Sequence, residues 1–159
     1  MILLNKLKSL RIIMLKRFFI FILFSSLFSV EKENIIDVLD KYSKAFGDAD
    51  YSKIISFFDY PVSFNLQNKT IKASSRFKLK LIYKKMRSEL PDYYSYSKFD
   101  KIDIQVIDSN IALVNAGLSR YRSDGSIFFS SSMQYYLRLK DNEWKIFSLT
   151  PYTDIKILN

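Results

Sequence analysis

The sequence predicts an α+β fold: three helices from the N-terminal half cover one face of a curved antiparallel sheet, after an N-terminal signal segment. Three observations carry this. Apolar residues recur at helical spacing from Ile35 to Phe58 and again from Phe77 to Leu90. They alternate with polar ones through most of the stretch from Ile102 to Ile146. Two turn signals in that second half, Asp124-Gly125 and Asp141-Asn142, independently place one common apolar set on one face.

The first thirty residues stand apart from this domain, which takes residues 31–159. Lys6, Lys8, Arg11, Lys16 and Arg17 precede thirteen uncharged, mostly apolar residues, Phe18 to Val30. A basic segment, a short apolar core and small residues near a cut point make a secretory signal peptide, with cleavage after Ser26 or Ser29. Met14 offers a second start, because Met14-Leu15-Lys16-Arg17 already supplies the basic segment. The rival reading is a short membrane anchor, although thirteen helical residues span only ~20 Å of a ~30 Å hydrocarbon core. Export to the periplasm or out of the cell is therefore expected, with an inner-membrane anchor as the alternative.

The leader also explains much of the charge. All sixteen acidic residues and twenty of the 25 basic ones follow residue 30, so the exported part carries +4 rather than +9. Nucleic-acid binding loses most of its support. Cysteine and histidine are both absent. Disulfides, thiol catalysis, a Ser-His-Asp triad and a zinc site are thereby excluded, and no cofactor or metal is implied.

Taken in order, Ile35, Ile36, Val38, Leu39, Tyr42, Ala45 and Phe46 form the first helix, which Gly47 is expected to end. Asp48 or Asp50 caps a second helix carrying Tyr51, Ile54, Ile55 and Phe58, stopped by Pro61. Val62-Ser63-Phe64 starts a strand that turns at Asn68-Lys69 into Thr70-Ile71-Lys72. Ser74 or Ser75 caps a third helix, Arg76 to Leu90, with Phe77, Leu79, Ile82, Met86 and Leu90 as its buried stripe. A tyrosine-rich link, Tyr93 to Tyr96, leads to the main sheet.

Folding at Asp124-Gly125 sets Arg120 opposite Phe129, Leu118 opposite Ser131, Ala116 opposite Met133 and Val114 opposite Tyr135. Folding at Asp141-Asn142 sets Leu139 against Trp144, Leu137 against Ile146 and Tyr135 against Ser148. A loop at Asp108-Ser109-Asn110 adds Ile102, Ile104 and Val106 to the same face. Only the helices can cover that face. The other face, with Asn115, Ser119, Tyr121, Phe128, Gln134 and Tyr136, either meets solvent or packs against a second copy as a homodimer.

This order resembles the nuclear transport factor 2-like superfamily, which includes the ketosteroid isomerases, scytalone dehydratase and the SnoaL-like polyketide cyclases. The resemblance rests on Tyr42 through Asp50, Phe57 through Val62, Ile111 through Val114, Arg120 through Ser126, and Tyr135 through Ile146. It implies a cone-shaped sheet with a SnoaL-like domain over residues 31–159. It also places Tyr42 where ketosteroid isomerases keep a donor to the developing oxyanion. Their general-base aspartate corresponds to Leu66, which cannot accept a proton. The dehydratase and cyclases rely on histidine, which this chain lacks.

Candidate ligand-binding residues follow from the register. Arg120 is the one charge on the covered face, near the hairpin end where the cone opens. It reads as a holder of a carboxylate or other anion, or as a snorkelling side chain paired at the rim. Tyr135, with Ser131, Ser148 and Thr150 nearby, supplies hydroxyls on an apolar wall, as binding pockets do. Met133, Tyr42 and Trp144 complete the set, although Tyr42 and Trp144 read more readily as core aromatics. The expectation is an exported domain that binds a small apolar or anionic molecule and reaches a membrane only through an uncleaved leader. Its alternatives are an isomerase or dehydratase using a pocket tyrosine, and a tethered dimerising module. The basic run from Lys69 to Arg87 reads as the solvated face of a helix, or as a surface for anionic lipid headgroups or nucleic acid.

Overall fold

A computed structural model describes residues 31–152 of the chain. The leader expected over residues 1–30 lies outside them, with its cleavage point. The unit described below begins at Ile35. Among the described residues no helix is long and apolar enough to cross a membrane.

Within this unit helix α1 covers residues 35–47 and buries Ile35, Leu39, Tyr42, Ala45 and Phe46 at the expected spacing, while Ile36 turns outward. Its ending differs from expectation. Gly47 is the last helical residue, and the reversal is made by Ala49, at φ 54°. The Asp50 amide donates to the Ala45 carbonyl and the Ala49 amide to the Phe46 carbonyl, the paired bonds of a Schellman cap. Helix α2 (Tyr51–Ser56) starts at Asp50, whose carboxylate accepts from the Lys53 amide at 3.0 Å.

Phe58 does not extend α2. Strand β1 (Phe58–Leu66) begins there, because the Phe57 carbonyl accepts from the Ile146 amide and Phe58 pairs with Ile146. Sheet pairing satisfies those backbone groups before Pro61 is reached. The Tyr60–Pro61 peptide is cis. Strand β2 (Lys69–Ala73) returns with Leu66 opposite Lys69, so the turn is Gln67-Asn68 rather than Asn68-Lys69.

Helix α3 (Arg76–Ser88) is capped by Ser75, whose hydroxyl accepts from the Lys78 amide at 3.3 Å. It buries Leu79 and Tyr83, with Ile82, Met86 and Leu90 packed at the margin. Phe77, expected in that stripe, lies 200° around the helix from Leu79 by the 3.6-residue repeat and is 72% exposed.

Strands β3 (Tyr96–Asp108), β4 (Ile111–Tyr121), β5 (Ile127–Lys140) and β6 (Glu143–Tyr152) complete a six-stranded curved sheet in the order β2-β1-β6-β5-β4-β3. Its pairs are antiparallel except β1 with β6, which run parallel. The expected register holds across β4 and β5: Arg120 opposite Phe129, Leu118 opposite Ser131, Ala116 opposite Met133 and Val114 opposite Tyr135. Asp141 and Asn142 both have positive φ, the conformation of a type I′ turn, and place Leu139 against Trp144. The inner face of Ala112, Val114, Ala116, Tyr135, Leu137, Trp144 and Ile146 is buried as expected.

One part of the register slips. Phe147 is an extra residue in β6, so Ser148 pairs with Tyr136 instead of Tyr135, and Leu149 takes the inner place. A bulge of this kind reverses which face each later side chain meets.

Candidate functional site

Four helical and six strand positions meet at the mouth formed by α1, α3 and the hairpin end of β4–β5. Tyr42, Ser43 and Phe46 come from α1, Met86 from α3, Ser97 and Phe99 from β3, Leu118 and Arg120 from β4, and Met133 and Tyr135 from β5. The cavity they enclose is about 20 Å3, room for about one water molecule. Below it the interior is filled by rings. Tyr42 packs edge-on against Phe58 at 5.6 Å and Tyr135 at 6.3 Å between centroids, and Phe99 stands against Tyr135 at 5.9 Å.

Tyr83 belongs to the same cluster. Its hydroxyl lies 2.9 Å from that of Tyr42, and the Tyr135 hydroxyl donates to Met133 Sδ at 2.9 Å. Burial raises all three phenols: Tyr42 is pushed up to about 12, against the lowering effect of the Tyr83 hydrogen bond and the Arg120 charge. Tyr83 and Tyr135 are raised well above 10, again chiefly by burial. These hydroxyls are neutral donors, and none has a carboxylate within hydrogen-bond reach among the described residues.

Arg120 is the one charged residue lining the cavity, and Arg87 lies near enough for its charge to act on it. Arg120 stacks over Phe129 at 5.0 Å and Arg87 over Tyr94 at 4.5 Å. Each has a buried Nε with no hydrogen-bond partner, and neither forms a salt bridge among the described residues. Burial lowers the Arg120 pKa, the nearby Arg87 charge acts in the same direction, and Tyr94 and Tyr42 oppose both. Arginine stays charged at any ordinary pH, so the shift reports lost hydration rather than a proton to give away. Beside Arg87, Tyr94 and Ser97 share a hydroxyl hydrogen bond of 2.9 Å, and Ser43 Oγ donates to the Ser97 carbonyl at 3.0 Å. A surface groove of about 320 Å3 between α1 and β3 shares Ser43, Ser97 and Phe99 with the cavity.

The expected site residues therefore separate. Arg120, Tyr135, Tyr42 and Met133 meet at the mouth. Ser131 lies opposite Leu118 and stays outside the lining. Ser148 sits on the other face, accepting from Ser63 Oγ and Asn65 Nδ2 at 3.0 Å each, and Thr150 joins the same Asn65. Trp144 is buried at the far end of the sheet, opposite Leu139. At ~3.3 Å per residue, the ten steps from Phe129, the partner of Arg120, to Leu139 put it up to about 33 Å along the sheet from Arg120. It is core and cannot bury a ligand held by Arg120. Arg87, Tyr83, Phe99, Ser43 and Ser97 were missing from the expected set. For Tyr83 and Arg87 the signal was present, since Leu79, Tyr83 and Arg87 are four residues apart on one helix face.

Comparison with known proteins agrees with this architecture. No curated protein sequence matches the chain. A protein of unknown function with a cystatin-like fold from Nostoc punctiforme superposes with a TM-score of 0.68 at 12% identity, over 81% of this chain and 95% of that one. A function-unknown protein from Mycobacterium tuberculosis gives 0.66 at 16% identity, over 80% and 79%. A candidate scytalone dehydratase from Novosphingobium aromaticivorans gives 0.65 at 13% identity, over 82% and 89%. At such identities the likeness is one of fold alone. Residues 31–154 match the family model described as NTF2-like protein (DUF6841), and the chain belongs to that family.

Proposed function

We propose that this domain binds a small molecule through an anionic group, held at the mouth of the cone by Arg120 and Arg87. The observation that carries the reading is the pair of stacked guanidinium groups, each with a buried, unpartnered Nε and no carboxylate to balance it. A buried cationic hydrogen-bond donor left unsatisfied is costly, and a carboxylate or similar oxyanion from outside would satisfy both. The cavity of about 20 Å3 is too small for the body of a ligand, so the anionic group would meet the guanidinium groups at its opening. The rest of the ligand would therefore lie in the adjoining groove, against Phe99 and Tyr96 and among Asp40, Lys44, Asp48 and Lys98, and not deep in the cone.

An isomerase or dehydratase would need a proton acceptor beside Tyr42 or Tyr135. Those hydroxyls meet Tyr83 and Met133 instead, so the geometry favours binding over proton transfer. Export, drawn from the leader, remains part of the proposal, and sequencing the mature N-terminus tests it: a start near residue 27 to 31 is expected.

The binding test is calorimetry with a panel of aliphatic and aromatic carboxylates and their neutral amides. Carboxylates that bind should lose roughly ten- to hundredfold in affinity in Arg120→Met and in Arg87→Met, while any amide binding is unchanged. If Arg120→Ala leaves the affinity for every retained ligand unchanged, the anion role is wrong.

A further inference from the structure

The outward face of α3 carries a feature that the mouth does not use. Phe77 and Leu81, 72% and 51% exposed, are four residues apart and form one ridge along the helix. By the 3.6-residue repeat, Lys80 and Lys84 flank that ridge on one side and Lys78 and Lys85 on the other. A soluble helix ordinarily turns such residues inward; here Leu79 and Tyr83 already fill the inner side. Lys85 makes one long, exposed contact, 3.8 Å to Glu89, and Lys84 stands 5.9 Å over the Tyr51 ring. The other flanking lysines have no acidic partner among the described residues.

Charge is segregated around this face. Residues 60–88 hold eight lysines and arginines and no acid. The rest of residues 31–159 holds twelve basic and sixteen acidic residues, a net of −4. A helix within so acid-free a stretch is drawn toward an anionic surface.

We propose that the outward face of α3 docks on an anionic lipid bilayer, Phe77 and Leu81 entering the headgroup boundary and the four lysines meeting lipid phosphates. An apolar ridge with lysine on both flanks is the arrangement of an interfacial helix. A nucleic-acid surface is less well matched. The centre of the patch is a phenylalanine and a leucine with no polar group to read a base edge, and its cations are lysines rather than stacking arginines. Two apolar side chains make the attachment shallow and reversible.

The test uses the full chain carrying Phe77→Trp, an exposed position, and reads insertion locally, so that residues 1–30 cannot supply the signal. Trp144 is the lone native tryptophan and is buried, giving a constant background. Vesicles of phosphatidylglycerol and phosphatidylcholine, mixed equally, should shift the new tryptophan's emission to the blue and allow brominated acyl chains to quench it. Pure phosphatidylcholine vesicles should do neither. Adding Lys78→Glu and Lys84→Glu should raise the lipid concentration for half-maximal shift at least tenfold, and raising salt from about 50 to about 500 mM should act the same way. No shift on anionic vesicles overturns the proposal. So does a shift that appears equally on phosphatidylcholine, or one produced only by duplex DNA.

Discussion

Tyr42, Tyr83 and Tyr135 occupy the place where a ligand-binding cone would be hollow, and this decides what the interior can do. Each phenol is buried, and burial penalises the ionised form of each. A group whose folded pKa lies above its unfolded value of ~10 holds its proton more tightly when folded. The stability tied to these phenols is thus complete below pH ~10 and is lost as pH rises from there towards the folded value, about 12 for Tyr42. Of the eleven tyrosines, these three should ionise only in step with unfolding. Following tyrosinate absorbance and near-ultraviolet circular dichroism together checks this. Complete ionisation near pH 10 with the dichroism intact would show that the cluster is wet, and the cavity larger than about 20 Å3.

At the scale of elements, the end of α1 makes a separate prediction. The Schellman cap requires a left-handed residue, which glycine adopts without strain, yet Ala49 fills it while Gly47 lies two residues earlier in ordinary helix. Ala49→Gly should therefore stabilise the domain by about 0.5–1 kcal/mol, seen as a higher midpoint in urea with unchanged slope. A lower midpoint would mean that the Ala49 methyl makes packing that outweighs the strain. The misplaced cap shows what a sequence can and cannot disclose. Glycine is the usual signal, and nothing local marked an alanine as the residue that would take positive φ. The sheet was far more legible, because side-chain parity and turn position must agree. At Asp124-Gly125 the loop is longer than a two-residue turn, but Phe128 bulges and restores the expected pairing. At Phe147 a bulge has no such compensation, which is how Ser148 left the inner face. Bulges are decided by backbone pairing across strands, so Arg120 and Tyr135 could be placed from sequence and Ser148 could not.

Across the whole unit, the N-terminal hairpin β1–β2 is joined to the remaining sheet only along the parallel β1–β6 seam. Asp59 reaches over that seam. It stands on β1, beside β6, yet its carboxylate accepts from Arg138 at 2.8 Å and Lys140 at 2.7 Å on β5, the strand beyond. Burial is the largest single influence on this carboxyl and pushes its pKa up. The hydrogen bonds and charges of Lys140 and Arg138 together outweigh burial, and the net shift is downward. A carboxyl with a depressed folded pKa contributes stability above its unfolded value of ~3.9, and that contribution disappears as pH falls from there through the lower folded value. Both cations are about half exposed, so the three-residue bridge is screened and contributes about 1–2 kcal/mol rather than the several of a fully buried pair. Asp59→Asn should lower Tm by roughly 4–8 °C at pH 7 in a single cooperative transition. The gap from the parent protein should stay constant down to about pH 5 and close as pH falls below about 4. A gap that persists at pH 2, or a separate early transition for β1 and β2 by hydrogen exchange, would show that the seam is held by its backbone ladder and that Asp59 spans it without fastening it.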